Sequence, residues 1–122
     1  MSDKKKQSYY ECHITIEASL ENRHLVREIV EKNKWSYSEH DEDHEIGDGL
    51  RCYANKSFKA TQAVDDVIQE LKITQDKIEL QLENLGHVVR YKVEFVLYDV
   101  ITDKLTQSGN HLISRRKAKN EQ

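Results

Sequence analysis

Polar side chains alternate with apolar ones near the start of the chain, in the stretch YYECHITIE. Glu11, His13 and Thr15 stand at every second position of it. Residues two apart in a β-strand point to the same face, so a carboxylate, an imidazole and a hydroxyl would project together. An imidazole beside a carboxylate can move protons, and it can also donate hydrogen bonds to an anion. The stretch is therefore either a functional site or the solvated side of a sheet.

Six elements are predicted from the apolar periodicity. Strands are expected at about 9–17, 35–39, 50–58 and 88–100, and amphipathic helices at about 20–34 and 61–85. Ser19 is placed to cap the first helix, and Gly86 to end the second in a left-handed C-cap. The order predicts an α+β fold of ferredoxin-like topology, βαββαβ, with a four-stranded antiparallel sheet and both helices on one face.

This fold prediction also divides the chain. Residues 9–101 are expected to form a single ferredoxin-like domain, preceded by a flexible N-terminus at 1–8. Residues 102–122 carry few apolar anchors and end in the basic stretch SRRKAK, so they are expected to form a weakly structured tail. The helix at 61–85 is long for such a domain, and either overhangs the sheet or breaks near Ile73 and Thr74.

In this topology the first and third strands are central, and the last strand lies beside the first. We call the sheet face away from the helices the open face. It would collect polar residues from three strands: Glu11, His13, Thr15, Glu17, Arg51, Tyr53, Asn55, Arg90, Lys92, Glu94 and Tyr98. Arginine forks, a lysine and an imidazole could together hold a phosphate or carboxylate. The predicted ligand-binding residues are His13, Thr15, Arg51, Tyr53, Arg90 and Lys92.

Three other interpretations of the open face stay open. Its opposite charges could simply pair across strands, which contributes about 0.2–1 kcal/mol per pair. A homo-oligomer could bury the face, because Tyr53, Val96 and Tyr98 are large for a solvated surface. The protein could also be an enzyme that uses His13 as an acid-base group oriented by Glu11 or Glu94. These possible catalytic residues have no evident substrate, so the sequence favours a binding module over an enzyme.

Composition and charge narrow the class of partner. The chain has 122 residues, with 22 acids against 19 bases and a net charge of -3, so nucleic acid is an unlikely partner. No apolar run is long enough for a signal peptide or a membrane span, which predicts a cytoplasmic protein without a membrane partner. Cys12 and Cys52 fall on apolar strand faces and are expected to be reduced core thiols. No glycine-rich phosphate loop is present, and no cofactor is expected.

A second group of polar residues lies in the stretch HDEDHE at residues 40–45. His40, Asp43 and His44 are its candidate metal ligands, because imidazoles and carboxylates bind divalent ions. The stretch lacks the spacing of a known metal-binding loop, and acidic loops are commonly just solvated. We therefore predict no metal site there.

Several short motifs recur together along the chain. They are ECHITIE, Trp35-Ser36, a loop bounded by Gly47 and Gly49, RCYA at 51–54, Gly86, and a last strand of the form VxRxKxE within 88–99. In this combination the chain resembles a family of small bacterial proteins of uncharacterised activity. The motif residues lie mostly on the predicted open face. Because no activity is established for the family, the resemblance implies no catalytic residue and no cofactor.

Overall fold

The computed structural model describes residues 7–39 and 49–115, and describes side chains as far as residue 107. Within these ranges the chain forms β1 (Tyr9–Ser19), α1 (Arg23–Lys32), β2 (Ser36–Glu39), β3 (Gly49–Lys59), α2 (Val64–Leu82), β4 (Gly86–Asp99) and β5 (Lys104–Arg115). A 3-10 turn at Leu20–Asn22 leads into α1. Neither described helix combines the length and the apolar character that crossing a membrane requires.

The strands form one curled antiparallel sheet in the order β2-β3-β1-β4-β5. The prediction of a four-stranded ferredoxin-like sheet is therefore wrong, although β1 does lie between β3 and β4. The difference is β5, which pairs with β4 from Asp99 opposite Lys104 to Arg90 opposite Arg115. It is formed by residues that the sequence pattern assigned to a weakly structured tail. Its sequence, KLTQSGNHLISR, lacks the regular apolar alternation from which half-buried strands are predicted.

The core lies between the helices and the apolar face of the sheet. Ile14 and Ile16 of β1 are fully buried there, since every second residue of the strand points toward the helices. The helices contribute residues at helical spacing, all with no exposed surface: Val26, Val30, Val67, Leu71, Ile78 and Leu82. Burying a side chain of this size contributes about 1.5–3 kcal/mol. Cys12 and Cys52 are buried in the same core and form no disulfide, as expected of reduced thiols.

The second helix is continuous from Val64 to Leu82, so no break occurs near Ile73 and Thr74. It ends at Glu83, which has a φ of 51°, and not at Gly86. The predicted C-cap role of Gly86 is wrong. Gly86 instead begins β4, where an added Cβ would lie 2.6 Å from the Glu17 carbonyl oxygen. A glycine is required there because the backbones of β1 and β4 approach closely.

One residue of β4 has no partner on β1. Thr15 pairs with Arg90 whereas the next residue, Ile16, pairs with Val88, so Val89 is bulged out. A β-bulge of this kind reverses the alternation of side chains between the two faces. Val88 is consequently buried in the core, with 1% exposed. His87 moves to the open face, opposite Glu17.

Candidate functional site

A cavity of about 480 Å³ lies on the open face, over β1 and its neighbours. It is lined by His13, Thr15, Ser38, Tyr53, Asn55, Arg90 and Lys92. Each of these side chains can donate a hydrogen bond, and no acidic residue is among them. A cavity of this size is within the range of about 300–1,000 Å³ typical of small-molecule sites. Its lining suits a ligand that carries negative charge. We call this space the open-face cavity.

Two rows of residues that pair across strands position this lining. In the first row, His13 lies between Asn55 of β3 and Lys92 of β4. In the second row, Thr15 lies between Tyr53 and Arg90, and Tyr53 pairs in turn with Ser38 of β2. Residues of one row are neighbours because directly paired positions of antiparallel strands lie about 4.5–5.5 Å apart. All the described residues of the lining thus lie on paired strands.

Five of the six predicted ligand-binding residues line the open-face cavity: His13, Thr15, Tyr53, Arg90 and Lys92. The sixth, Arg51, lies elsewhere. Its Nη2 donates to Glu17 Oε2 at 2.5 Å, and it lines a separate cavity of about 600 Å³ with His87. Asn55 and Ser38 also line the open-face cavity but were not predicted as ligand residues. The alternation of side chains along β2 and β3 was a usable signal, since it places Ser38 and Asn55 on the open face.

The basic groups of the open face differ in their partners. Arg51 is paired with Glu17, and Lys92 Nζ lies 2.8 Å from Glu94 Oε2. Arg90 is exposed, and no acidic partner contacts it among the side chains that the structure describes, at 7–39 and 49–107. Among the basic groups of the open face that the structure describes, Arg90 is therefore the one whose charge is not paired with a described carboxylate.

Glu94 is an ionised carboxylate in a largely buried position, with 5% exposed. Its burial by itself raises the pKa of the carboxyl. The hydrogen bond and positive charge of Lys92, together with those of His13, outweigh burial, so the net pKa lies below the ordinary value of 4.5. The negative charge of Glu94 is thus balanced within the site.

His13 contacts oxygen atoms through both ring nitrogens. Nδ1 lies 2.7 Å from Asn55 Oδ1, and Nε2 lies 3.1 Å from Glu94 Oε1. Glu11 Oε1 is also near Nε2, at 3.4 Å. The three residues considered for an enzyme, Glu11, His13 and Glu94, are therefore brought together. Because both nitrogens are engaged, His13 would have to break one of these contacts to exchange a proton with a ligand.

The candidate metal ligands of the HDEDHE stretch, His40, Asp43 and His44, for which no metal site was predicted, lie outside the described residues. Comparison of the chain with family models, with curated proteins and with solved structures gives no match. The resemblance to a family of small bacterial proteins accordingly stays a prediction.

Proposed function

We propose that this chain is a binding module for a small anionic molecule, held in the open-face cavity. The observation that carries the proposal is the position of Arg90. Its guanidinium belongs to the lining of the cavity and has no acidic partner among the described side chains. A planar guanidinium donates two parallel hydrogen bonds to a carboxylate or phosphate, which makes it a specific anion ligand.

The remaining lining supports the same class of ligand. Thr15 and Ser38 offer hydroxyl groups, and Lys92 offers an ammonium that is only partly occupied by Glu94. An ammonium has three donor hydrogens, so one contact with Glu94 leaves capacity for a ligand. The aromatic ring of Tyr53 adds an apolar surface to this polar lining. A ligand with an acidic group and a small ring or carbon skeleton would match these features.

Two alternatives receive less support. The alternative of a homo-oligomer that buries the open face rested on large residues there, but Val96 is only 8% exposed within the single chain. Tyr98 donates its hydroxyl to Asp103 at 2.7 Å, so it is also engaged within the chain. An enzyme with His13 as acid-base group would need a free ring nitrogen, and both are in contact with oxygen atoms.

The test measures thermal stabilisation by anions, with isothermal titration for those that stabilise. The probes are inorganic phosphate, a nucleoside monophosphate, a sugar phosphate and a dicarboxylic acid. Stabilisation grows with ligand concentration relative to Kd, so a true ligand raises the melting temperature in a saturable way. Arg90→Ala should weaken binding about 10- to 100-fold, because hydrogen bonds to charged groups contribute about 1.5–3 kcal/mol.

The matched control is Arg51→Ala, which removes an arginine of the same face that lies outside the cavity and is paired with Glu17. It should leave anion affinity within about twofold of the parent chain. Equal affinity in the Arg90 variant and the parent, or an equal loss in both variants, would refute the proposal. Failure of every probe to stabilise the parent chain would refute it as well.

A further inference from the structure

A second site adjoins the open-face cavity, where two carboxylates and an imidazole converge. Glu11 and Glu94 are directly paired across β1 and β4, and His13 stands two residues along β1 from Glu11. One ligand-type atom from each of the three residues lies within 4.8 Å of the others. Like charges directly opposite each other on neighbouring strands repel, so a cation between the two carboxylates would relieve this repulsion.

Asn55, which lies outside this cluster, determines which ring nitrogen of His13 carries a hydrogen. The Asn55 amide nitrogen faces Ser38 Oγ at 2.9 Å and the Ser36 carbonyl oxygen at 3.5 Å. A carbonyl only accepts hydrogen bonds, so the amide oxygen of Asn55 must be the atom that faces His13. Nδ1 of His13, at 2.7 Å from that oxygen, therefore carries a hydrogen. The lone pair of a neutral ring is then on Nε2, directed at the carboxylates.

An imidazole that donates through one nitrogen to a polar group and presents the other to carboxylates has the arrangement of a metal-bound histidine. We propose that Glu11, His13 and Glu94 bind a divalent first-row metal ion of the zinc type. The two carboxylates and one imidazole provide three protein ligands, which in zinc sites with functional roles leave one position for water or a ligand. This proposal does not rest on the proposed anion-binding function.

The distances agree with such coordination. Metal-ligand bonds of about 2.0–2.1 Å in a tetrahedral site place neighbouring ligand atoms about 3.3 Å apart. His13 Nε2 lies 3.1 Å from Glu94 Oε1 and 3.4 Å from Glu11 Oε1. A single proton on Nε2 can form one good hydrogen bond, with Glu94, and leaves Glu11 facing a second carboxylate. A metal ion uses all three atoms at once.

Charge around the cluster is compatible with a divalent ion. Lys92 contacts Glu94 through Oε2, whereas the atom in the cluster is Oε1, so the lysine and a metal would use different oxygens. Two carboxylates neutralise a divalent ion, and carboxylates and imidazoles bind metal ions in their deprotonated forms. His13 also lines the open-face cavity, so an ion held here would lie beside the proposed anion site.

The test titrates the metal-free chain with Zn²⁺ by calorimetry, and with Co²⁺ by visible absorption, which reports the ligand field directly. One Zn²⁺ should bind to the cluster, and Glu11→Gln should weaken it by about 100-fold or more, because even outer partners of a metal ligand contribute about 10- to 100-fold. Glu11 is partly exposed, so this variant should fold. His13→Ala should have a similar effect and should also abolish the Co²⁺ spectrum of the site.

Two controls separate this cluster from other metal-binding groups. Glu17→Gln changes a carboxylate of the same strand and face near His87, and should not alter Zn²⁺ affinity or the Co²⁺ spectrum. The double variant His40→Ala, His44→Ala removes the imidazoles of the HDEDHE stretch, and should also leave this site intact. A third variant is not a control but tests the partner of His13. Asn55→Ala removes the oxygen that faces Nδ1, so it should weaken Zn²⁺ binding about tenfold.

The proposal is overturned if Glu11→Gln and His13→Ala bind Zn²⁺ as the parent does, or if the parent binds none. It is also overturned if the loss occurs only in the His40 and His44 variant. Anion binding is measured separately in the presence of EDTA. A chain that binds phosphate in EDTA but no Zn²⁺ would contradict only the metal site, and the reverse result would contradict only the anion site.

Discussion

The carboxylate of Glu94 lies 2.8 Å from the ammonium of Lys92, although the two residues stand two apart on one strand. Both side chains point to the open face, and Glu94 is almost fully buried beneath it. The same carboxylate contacts His13 through its other oxygen. Removing it would leave the Lys92 ammonium and the His13 ring without this charged acceptor.

Stability at low pH is expected to depend on Glu94. Burial raises the pKa of this carboxyl. Lys92 and His13 lower it by more than burial raises it, so the folded-state pKa lies below the ordinary 4.5. The unfolded chain then binds its proton at higher pH than the folded chain does. The stabilisation is fully present above about pH 4.5 and is lost as the pH falls through the folded-state pKa.

Chemical denaturation between neutral pH and about pH 3 measures this effect, with Glu94→Gln as the comparison. At neutral pH the variant should be less stable by about 1–3 kcal/mol, because Lys92 and His13 lose a charged acceptor. In acid the free energies of unfolding of the two chains should converge. A constant difference over the whole pH range would contradict the assignment.

Gly86→Ala should destabilise the fold. The new Cβ would lie 2.6 Å from the Glu17 carbonyl oxygen, which is backbone and cannot move aside without shifting β1. Overpacking of this kind costs about 1–3 kcal/mol. The control is Asn84→Ala, an exposed position two residues earlier, with an expected change within about 0.5 kcal/mol. Equal denaturation midpoints for the two variants would show that the strands can separate freely here.

Truncation distinguishes a fifth strand from a weakly structured tail. A chain ending at residue 103 loses β5 and turns β4 into an unpaired edge. We expect a loss of at least about 2 kcal/mol, which lowers the melting temperature by roughly 8 °C or more in a domain of this size. A chain ending at residue 115 keeps β5 and is the control. If both truncated chains melt at the same temperature, β5 contributes nothing to the fold.

The sequence predicted much of β1 to β4 but not β5, for a physical reason. Alternation is informative where one strand face is more buried than the other, as in β1 and in β4 from Arg90 to Val93. The β4-β5 connection offers no such signal. It turns without glycine or proline, and Asp103 provides the positive φ of 56°. Aspartate tolerates this conformation but is common in many other settings, so the turn was not recognised.

The candidate site was predicted in part for similar reasons. Strand period placed His13, Thr15, Tyr53, Arg90 and Lys92 on one face, and they do line one cavity. Strand period could not decide which basic side chains form ion pairs with carboxylates of the chain, because those pairs depend on the register between strands. Arg51 is opposite Glu17 whereas Arg90 is opposite Thr15. A register between β1 and β4 cannot be read from either strand alone.

The thiol of Cys12 should be inert in the folded protein. Its burial, assisted by the nearby carboxylates of Glu70 and Glu11, raises its pKa to about 12. At about pH 8 roughly one thiol in 10,000 is then ionised, and the thiolate is the reactive form. A colorimetric thiol reagent should label Cys12 in a Cys52→Ala chain only after denaturant is added. Rapid labelling of the native chain would contradict the buried placement.

The single extra residue at Val89 has a consequence for how other sequences should be compared with this one. A chain without the bulge would have one residue fewer between the positions of Gly86 and Arg90, yet would keep the same faces after Arg90. A one-residue gap at the position of Val89 in an alignment would therefore indicate a strand without the bulge, and would not be an alignment error. Such a chain would keep the positions of Val88 and His87 opposite Ile16 and Glu17, and the positions that line the open-face cavity would also be unchanged.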